Sequence, residues 1–594
     1  MEVNRRSLLK GAAGIAAAAG VGSTTLAPNL AQAQSGTAKY MADVVICGAG
    51  AAGLAAAVRA RELGLSVVVL EAQSRFGGRM IVNSGNIPIG GGSPAQMLAG
   101  LGDTPDILYR DLTDWTVVQP NGFPSYRYND HEVIRWYANF NTGLQDFLSR
   151  NGVVFTRTTP DNTGGNEVGN SFNRMMHTAL LKYESARTGL VGSGSGATTS
   201  EGPGAAYPLY NSAVAKGATI LLNCRLLTLD RAKGAGGVAG VTASYNGGTI
   251  QIQARKGVFI ATGGGQGNQH YRQMFDPRLG AEYISVAGEP WSFQDASGIF
   301  AGMNVGAAIA GAYNHMAEIG TNVTKAGKVG TQHNYTFLNW GLQSKPFLEG
   351  KVKATGITVN FQDGILIKAK AGLDPQNQNL RFYNEMAGQF PTNSAGQVPS
   401  YTQWDYKNLA KLAYNPEANA FLDAALASPG DGMNGGGPIW FIFDDAARQR
   451  RNMNVNPPVV DPDGFFFSAN TLEELAAKIV MPQQRIPVSP AALAATVARY
   501  NSYVGGTDND FGKPSPQFRI ERGPFYAAWA TPTLHDARSG LRINGKREVL
   551  DLSGKPIPGL YAGGEAAGGF SQHGMGRAMT DALIAMASVA TRTV

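Results

Sequence analysis

The stretch ADVVICGAGAAGLAAAVRARELGLSVVVLEA, Ala42 to Ala72, constrains the fold more than any other part of the chain. A short apolar run, Val44 to Cys47, enters Gly48-Ala49-Gly50-Ala51-Ala52-Gly53, and a run rich in Ala, Leu and Arg follows. A second apolar run, Ser66 to Leu70, ends on Glu71. Apolar runs of this length flanking a helical pattern predict strand, helix and parallel strand. Gly48 allows the tight turn, Gly50 lets backbone approach a pyrophosphate, and Gly53 lets helix pack on strand. Amides at the helix start bind phosphate. Glu71 ends the second strand, where a carboxylate accepts from ribose hydroxyls. The unit predicts dinucleotide binding, with Ala49, Ala52 and Ala72 among the contacts.

Three further segments decide which dinucleotide. SRFGGRM places Gly77, Gly78 and Arg79 just beyond Glu71, as in FAD enzymes of the glutathione-reductase type. GVFIATGGG is a buried-strand pattern ending in Ala261, Thr262 and Gly263. IPGLYAGGEAAGG is another, ending at Glu565, whose carboxylate suits a ribityl chain. Ala578 and Met579, in the last predicted helix, complete the FAD set with Ser84 of IVNSGN. No second nucleotide fingerprint accompanies them, so NAD(P)H is not the expected partner.

At 594 residues the chain exceeds one ordinary core and predicts two or more domains. Its 77 glycines are about double the usual share and cluster in knots between apolar runs. The net charge of +7 has no basic run behind it, so no nucleic-acid partner is expected. Residues 1–34 read as a twin-arginine signal: Arg5-Arg6 before Leu8-Leu9-Lys10, a weakly apolar stretch, then Ala31-Gln32-Ala33. That route carries folded proteins and predicts a periplasmic protein loaded with its cofactor. Cys47 and Cys224 are the two cysteines, and Cys47 lies inside a strand pattern, so no disulfide framework or attached haem is expected. No histidine has metal spacing, and no apolar run predicts a stable membrane span.

With these motifs the chain resembles the flavoprotein superfamily of soluble fumarate reductases, urocanate reductases and 3-ketosteroid Δ1-dehydrogenases. The resemblance runs from about Ala42 to the end, through SFQDASGIFAGMNVGAAI with Asp295 as its acid, RFYNE, and GPFYAAWATPTLHDARSGLRIN. It implies an α/β fold: a doubly wound, glutathione-reductase-like FAD-binding domain (40–320 and 530–594) interrupted by an α+β capping domain (321–529). It also implies hydride transfer between flavin N5 and a carbon β to a carbonyl, with proton transfer at the α carbon. Covalent relatives carry a histidine where this chain reads IVNSGN, so FAD is expected to be held non-covalently.

The resemblance also shows departures. Dicarboxylate reductases carry Asn-Arg where this chain has Gln572-His573, so a bidentate carboxylate clamp is missing there. The family's His-Thr segment has become His535-Asp536-Ala537-Arg538. Tyr526 stands where ketosteroid dehydrogenases place a carbonyl donor. The expected catalytic set is Tyr526, His535, His573 and Arg538, with a core tyrosine and structural histidines as the alternatives. Arg577 either offsets charge on reduced flavin or is an exposed first-turn arginine. The expected function is α,β-dehydrogenation of a mostly apolar, carbonyl-bearing small molecule, with electrons leaving to a separate cytochrome or quinone-linked carrier. A reductase of an unsaturated acid and a non-catalytic flavin-binding protein are the alternatives.

Overall fold

A computed structural model describes residues 40–83, 85–113, 130–163, 168–169, 171–179, 202–232, 236–275, 279–285, 292–311, 321–324, 328–333, 347, 350, 352–369, 379–386, 437–537, 539–570, 572 and 574–593. Residues 1–34, Ser84, Arg538 and His573 lie outside the described residues, as does the side chain of His535.

The apolar run before the first glycine forms the strand Tyr40–Cys47, and the run before Glu71 forms the strand Val67–Leu70. They pair in parallel, Val44 opposite Val67 and Cys47 opposite Leu70. Val44, Val45 and Ile46 are fully buried, consistent with a parallel sheet covered on both faces. Each such side chain contributes about 1.5–3 kcal/mol of burial. The sheet continues from Val67–Leu70 to Thr219–Leu221 on one side. On the other it runs through Gly248–Ile260 and Pro556–Ala562 to an antiparallel edge, Glu548–Leu550. Strands from both ends of the chain therefore lie side by side, Tyr561 opposite Phe259. The helix Ala51–Glu62 and the last helix, Gly576–Thr591, bury small and apolar residues in one shared core. Ala52, Ala55 and Ala56 allow that close approach because they carry little side chain.

Residues 365–529 build a second sheet, antiparallel throughout: Ile365–Lys368, Ile439–Asp444, Phe525–Trp529 and Phe466–Ala469. Its strands are rich in aromatic and β-branched residues, and the period of two sends alternate side chains to two apolar clusters. Trp440 and Ile442 join Leu475 and Leu493 on one face, while Phe441 and Phe443 join Phe361 and Tyr526 on the other. A small sheet of Thr321–Thr324, Thr533–Ala537 and Ile284–Ser285 lies where the chain passes between the two large ones. The architecture is a doubly wound α/β sheet interrupted by an α+β layer.

Candidate active site

The glycine turn is held by steric necessity. A Cβ on Gly53 would stand 1.8 Å from the Gly48 carbonyl oxygen, and one on Gly48 would stand 2.4 Å from the Ala261 oxygen. Gly48 also has φ +106°, a conformation suited to glycine. Gly50 differs: a methyl placed there would meet its nearest neighbour only at 3.9 Å, so the missing side chain leaves open space over the backbone. No side chain caps the helix that begins there, and its first amides point out for an anion.

Glu71 performs a task beyond the expected one. Its Oε2 accepts from the Ala49 amide at 2.8 Å and its Oε1 from the Gln73 amide at 2.9 Å. Burial pushes its pKa up, against the pull of those amides. The carboxylate thus braces the phosphate turn while also lining the cleft. Gly77, with φ +103°, donates to the Ala49 oxygen at 2.8 Å and joins the second glycine pair to the same turn.

Along the cleft from this turn, Glu565 gathers four segments. It accepts from Arg79 Nη1 at 2.5 Å, Ala537 N at 2.9 Å, Gln294 Nε2 at 3.2 Å and Gln266 Nε2 at 3.3 Å. Asp295 pairs with Arg225 and accepts from the Ser297 amide at 3.0 Å. Burial raises the pKa of Asp295, but Arg225 and the Ser297 hydrogen bonds together outweigh it and the carboxyl lies below its ordinary value. Arg577 is buried and donates to the carbonyls of Ala567 and Phe570. Gln572 pairs with the Tyr137 hydroxyl, 2.8 Å from its Oε1.

Glu71, Arg79, Arg225, Gln294, Asp295, Glu565, Gln572 and Arg577 all line one cleft, which runs from the glycine turn to the last helix. Thr262 Oγ1 lies buried there without a hydrogen-bond partner, an atom that calls for one. The open amides, the bare Gly50 and this hydroxyl fit FAD. Among the described residues no group of His, Cys, Asp or Glu is arranged to hold a metal, and no helix is long and apolar enough to cross a membrane.

Most expected cofactor residues come together. Gly48, Gly50, Ala52, Glu71, Ala72, Gly78, Arg79, Ala261, Thr262, Gly263, Asp295, Glu565 and Ala578 line the cleft. Ala49, Gly53 and Gly77 stand behind it, shaping the turn, and Met579 packs into the apolar core between the helices. Tyr526 is not among the lining residues. Strand alternation turns it into the second sheet's core, where its ring stacks on Phe443 at 4.9 Å and its hydroxyl donates to Asp445 at 3.3 Å. The placement of Tyr526 corresponds to the core-tyrosine alternative. His535 lies two residues before Ala537, and His573 lies between Gln572 and Gly574; these three neighbours all line the cleft. Sequence reasoning missed Arg225, Gln266 and Gln294. Arg225 sits in an alternating edge-strand pattern, and neither glutamine belongs to a recognisable motif.

With this geometry in place, comparison with known proteins is specific. The family model described as "FAD binding domain" matches residues 43–328 and 355–578. The chain belongs to that family and is a flavoprotein. It is 24% identical over 590 residues to 4-oxocyclohexanecarboxylate 2-dehydrogenase of Sinomonas cyclohexanicum, covering 89% of this chain and 88% of that one. It is 37% identical over 141 residues to NADH:acrylate oxidoreductase of Vibrio harveyi, a match that covers 23% of this chain and 13% of the relative's length. The fold is shared with the open conformation of a flavocytochrome c3 fumarate reductase, with TM-score 0.59, 20% identity, 93% of this chain and 78% of that chain.

Proposed function

We propose that this FAD-dependent oxidoreductase desaturates a carbon–carbon bond next to the carbonyl of a mostly apolar substrate. One observation carries the reading. Every described cation lining the cleft is engaged within the protein: Arg225 on Asp295, Arg79 on Glu565, and Arg577 on two carbonyls and Asp581. At the turn before the last helix, Gln572 is spent on Tyr137. A dicarboxylate calls for a bidentate arginine, whereas a ketone needs a single donor. The dehydrogenase from Sinomonas, similar over most of both chains, supports the same choice.

Bound FAD supplies the hydride acceptor. The protein's share is to hold the substrate carbonyl, withdraw the α proton and exclude water. As the hydride leaves the β carbon and the proton the α carbon, the double bond forms between them. His535 and His573 are the candidates for the carbonyl donor and the base, on the strength of the cleft-lining residues beside them. Arg538 is the candidate for an anionic substituent. In this reading residues 321–529 cap the cleft and the electrons leave to a separate carrier. Residues 1–34 direct the loaded protein to the periplasm, so replacing Arg5 and Arg6 by Lys leaves the flavoprotein in the cytoplasm on fractionation.

The similarity to NADH:acrylate oxidoreductase favours a second reading, reduction of an unsaturated acid. Anaerobic mixing separates them. Bleaching of the flavin band by a saturated cyclic ketone is the expected result. Reoxidation of reduced protein by an enoate, with no bleaching by any ketone, overturns it.

A further inference from the structure

The two ends of the cleft differ in how their charges are balanced. At one end Arg225 faces Asp295, one cation to one carboxylate, and Glu71 is satisfied by backbone amides. At the other end, among the described residues, three arginines meet two carboxylates. Glu565 is taken by Arg79. Asp581 accepts from Arg547 Nε at 2.7 Å and from the Gly564 amide at 3.0 Å, and stands 3.6 Å from Arg577 Nε. Arg547 therefore holds the carboxylate more closely than Arg577 does. The rest of the Arg577 head is met by neutral carbonyls of Ala567 and Phe570, and its Nε has no hydrogen-bond partner.

Arg577 is 4% exposed and lines the cleft. A guanidinium cannot shed its proton at any working pH, and a buried charge short of a counter-charge is costly. Burial pulls the pKa of Arg577 below the ordinary guanidinium value, against the opposite pull of Asp581 and Glu565. Arg577 also lies in the first turn of the 16-residue last helix, whose positive pole adds to its own charge.

A dinucleotide held with its pyrophosphate on the first helix and its adenosine ribose near Glu71 would bring its redox ring to the part of the cleft lined by Glu565, Gln572 and Arg577. That ring changes charge during the reaction: two electrons and one proton enter together as a hydride, leaving it one negative charge. We propose that Arg577 is a potential-setting residue, whose only partly compensated positive charge favours the reduced, anionic flavin and draws hydride from a reluctant C–H bond. The proposal rests on FAD binding and holds for either substrate reading.

The test compares FAD-loaded wild type, Arg577→Lys and Arg577→Asn by dye-equilibrated reduction under nitrogen. At fixed potential the reduced-to-oxidised flavin ratio is expected to fall about 10- to 100-fold in the Asn variant, about 30–60 mV for a two-electron couple. The Lys variant keeps the charge and stays within a few-fold of wild type. An unchanged ratio in the Asn variant, or an equal fall in both variants, overturns the proposal; the latter would mark a purely structural role. If the Asn variant fails to retain FAD, the wild type alone still decides. Its potential is expected to change by about 30 mV per pH unit between pH 5 and 7, the mark of one proton per two electrons. A slope twice as steep means a neutral reduced ring and overturns the proposal. Failure here, with ketone bleaching intact, leaves the proposed function standing.

Discussion

Two charge clusters in this molecule, one sealed beside the second sheet and one at the cleft, balance their charges differently. Beside the second sheet, Arg381 binds Glu385 through two bonds of 2.8 Å and Asp508 through a third of 2.8 Å. Lys513 Nζ lies 3.7 Å from Glu385 and donates to the carbonyls of Phe361 and Gly364. Two cations meet two carboxylates, all sealed from water. Beside the cleft, the ion pairs of Arg79, Arg547 and Arg577 fall, among the described residues, on two carboxylates, Glu565 and Asp581. The closed cluster has no charge to offer and fixes the shape of the layer. The open one leaves part of a charge facing the space where a ligand sits. A buried ion pair by itself therefore says little about function; the count of charges around it says more.

Removing one member from each cluster is the sharpest way to break this contrast. Glu385→Ala leaves Arg381 and Lys513 buried with Asp508 as the one remaining carboxylate of the cluster and is expected to cost about 3–5 kcal/mol in denaturant unfolding. FAD content per folded molecule should stay unchanged; loss of FAD in that variant would erase the distinction between the clusters. Glu565→Gln acts on partly exposed groups at the cleft. It is expected to weaken FAD binding about five-fold, roughly 1 kcal/mol, by fluorescence titration with FAD.

A smaller effect is expected with pH. Burial pulls Lys513 down to about 8, with Glu385 pulling it back up. The folded state loses that proton before the unfolded state does, so stability should rise with pH between about 8 and the ordinary lysine value near 10.4. Unfolding midpoints across this window check the sign, and Lys513→Met should abolish the slope while lowering the baseline. The least effect belongs to Tyr526→Phe. Its hydroxyl reaches Asp445 within the second sheet rather than the cleft, so turnover should stay within about two-fold, by less than ~0.5 kcal/mol. A loss of a hundred-fold or more would restore Tyr526 to the chemistry.

The sequence by itself determined the cofactor cradle. Gly48, Gly50, Gly53 and Glu71 act through spacing within some two dozen residues, where strand, turn and helix geometry leave few options. The two FAD-type strand ends, Ala261–Gly263 and Gly563–Glu565, were legible for the same reason. Only the tertiary structure decided which face of its strand Tyr526 takes, because alternating apolar residues bury both faces of that sheet and periodicity alone cannot choose between them. It also decided that Glu565 is paired with Arg79, which lies 486 residues away in the chain. The balance of charge around Arg577 was settled the same way. It depends on Arg547 reaching Asp581 first, and counter-charge is a sum over space that no local pattern carries.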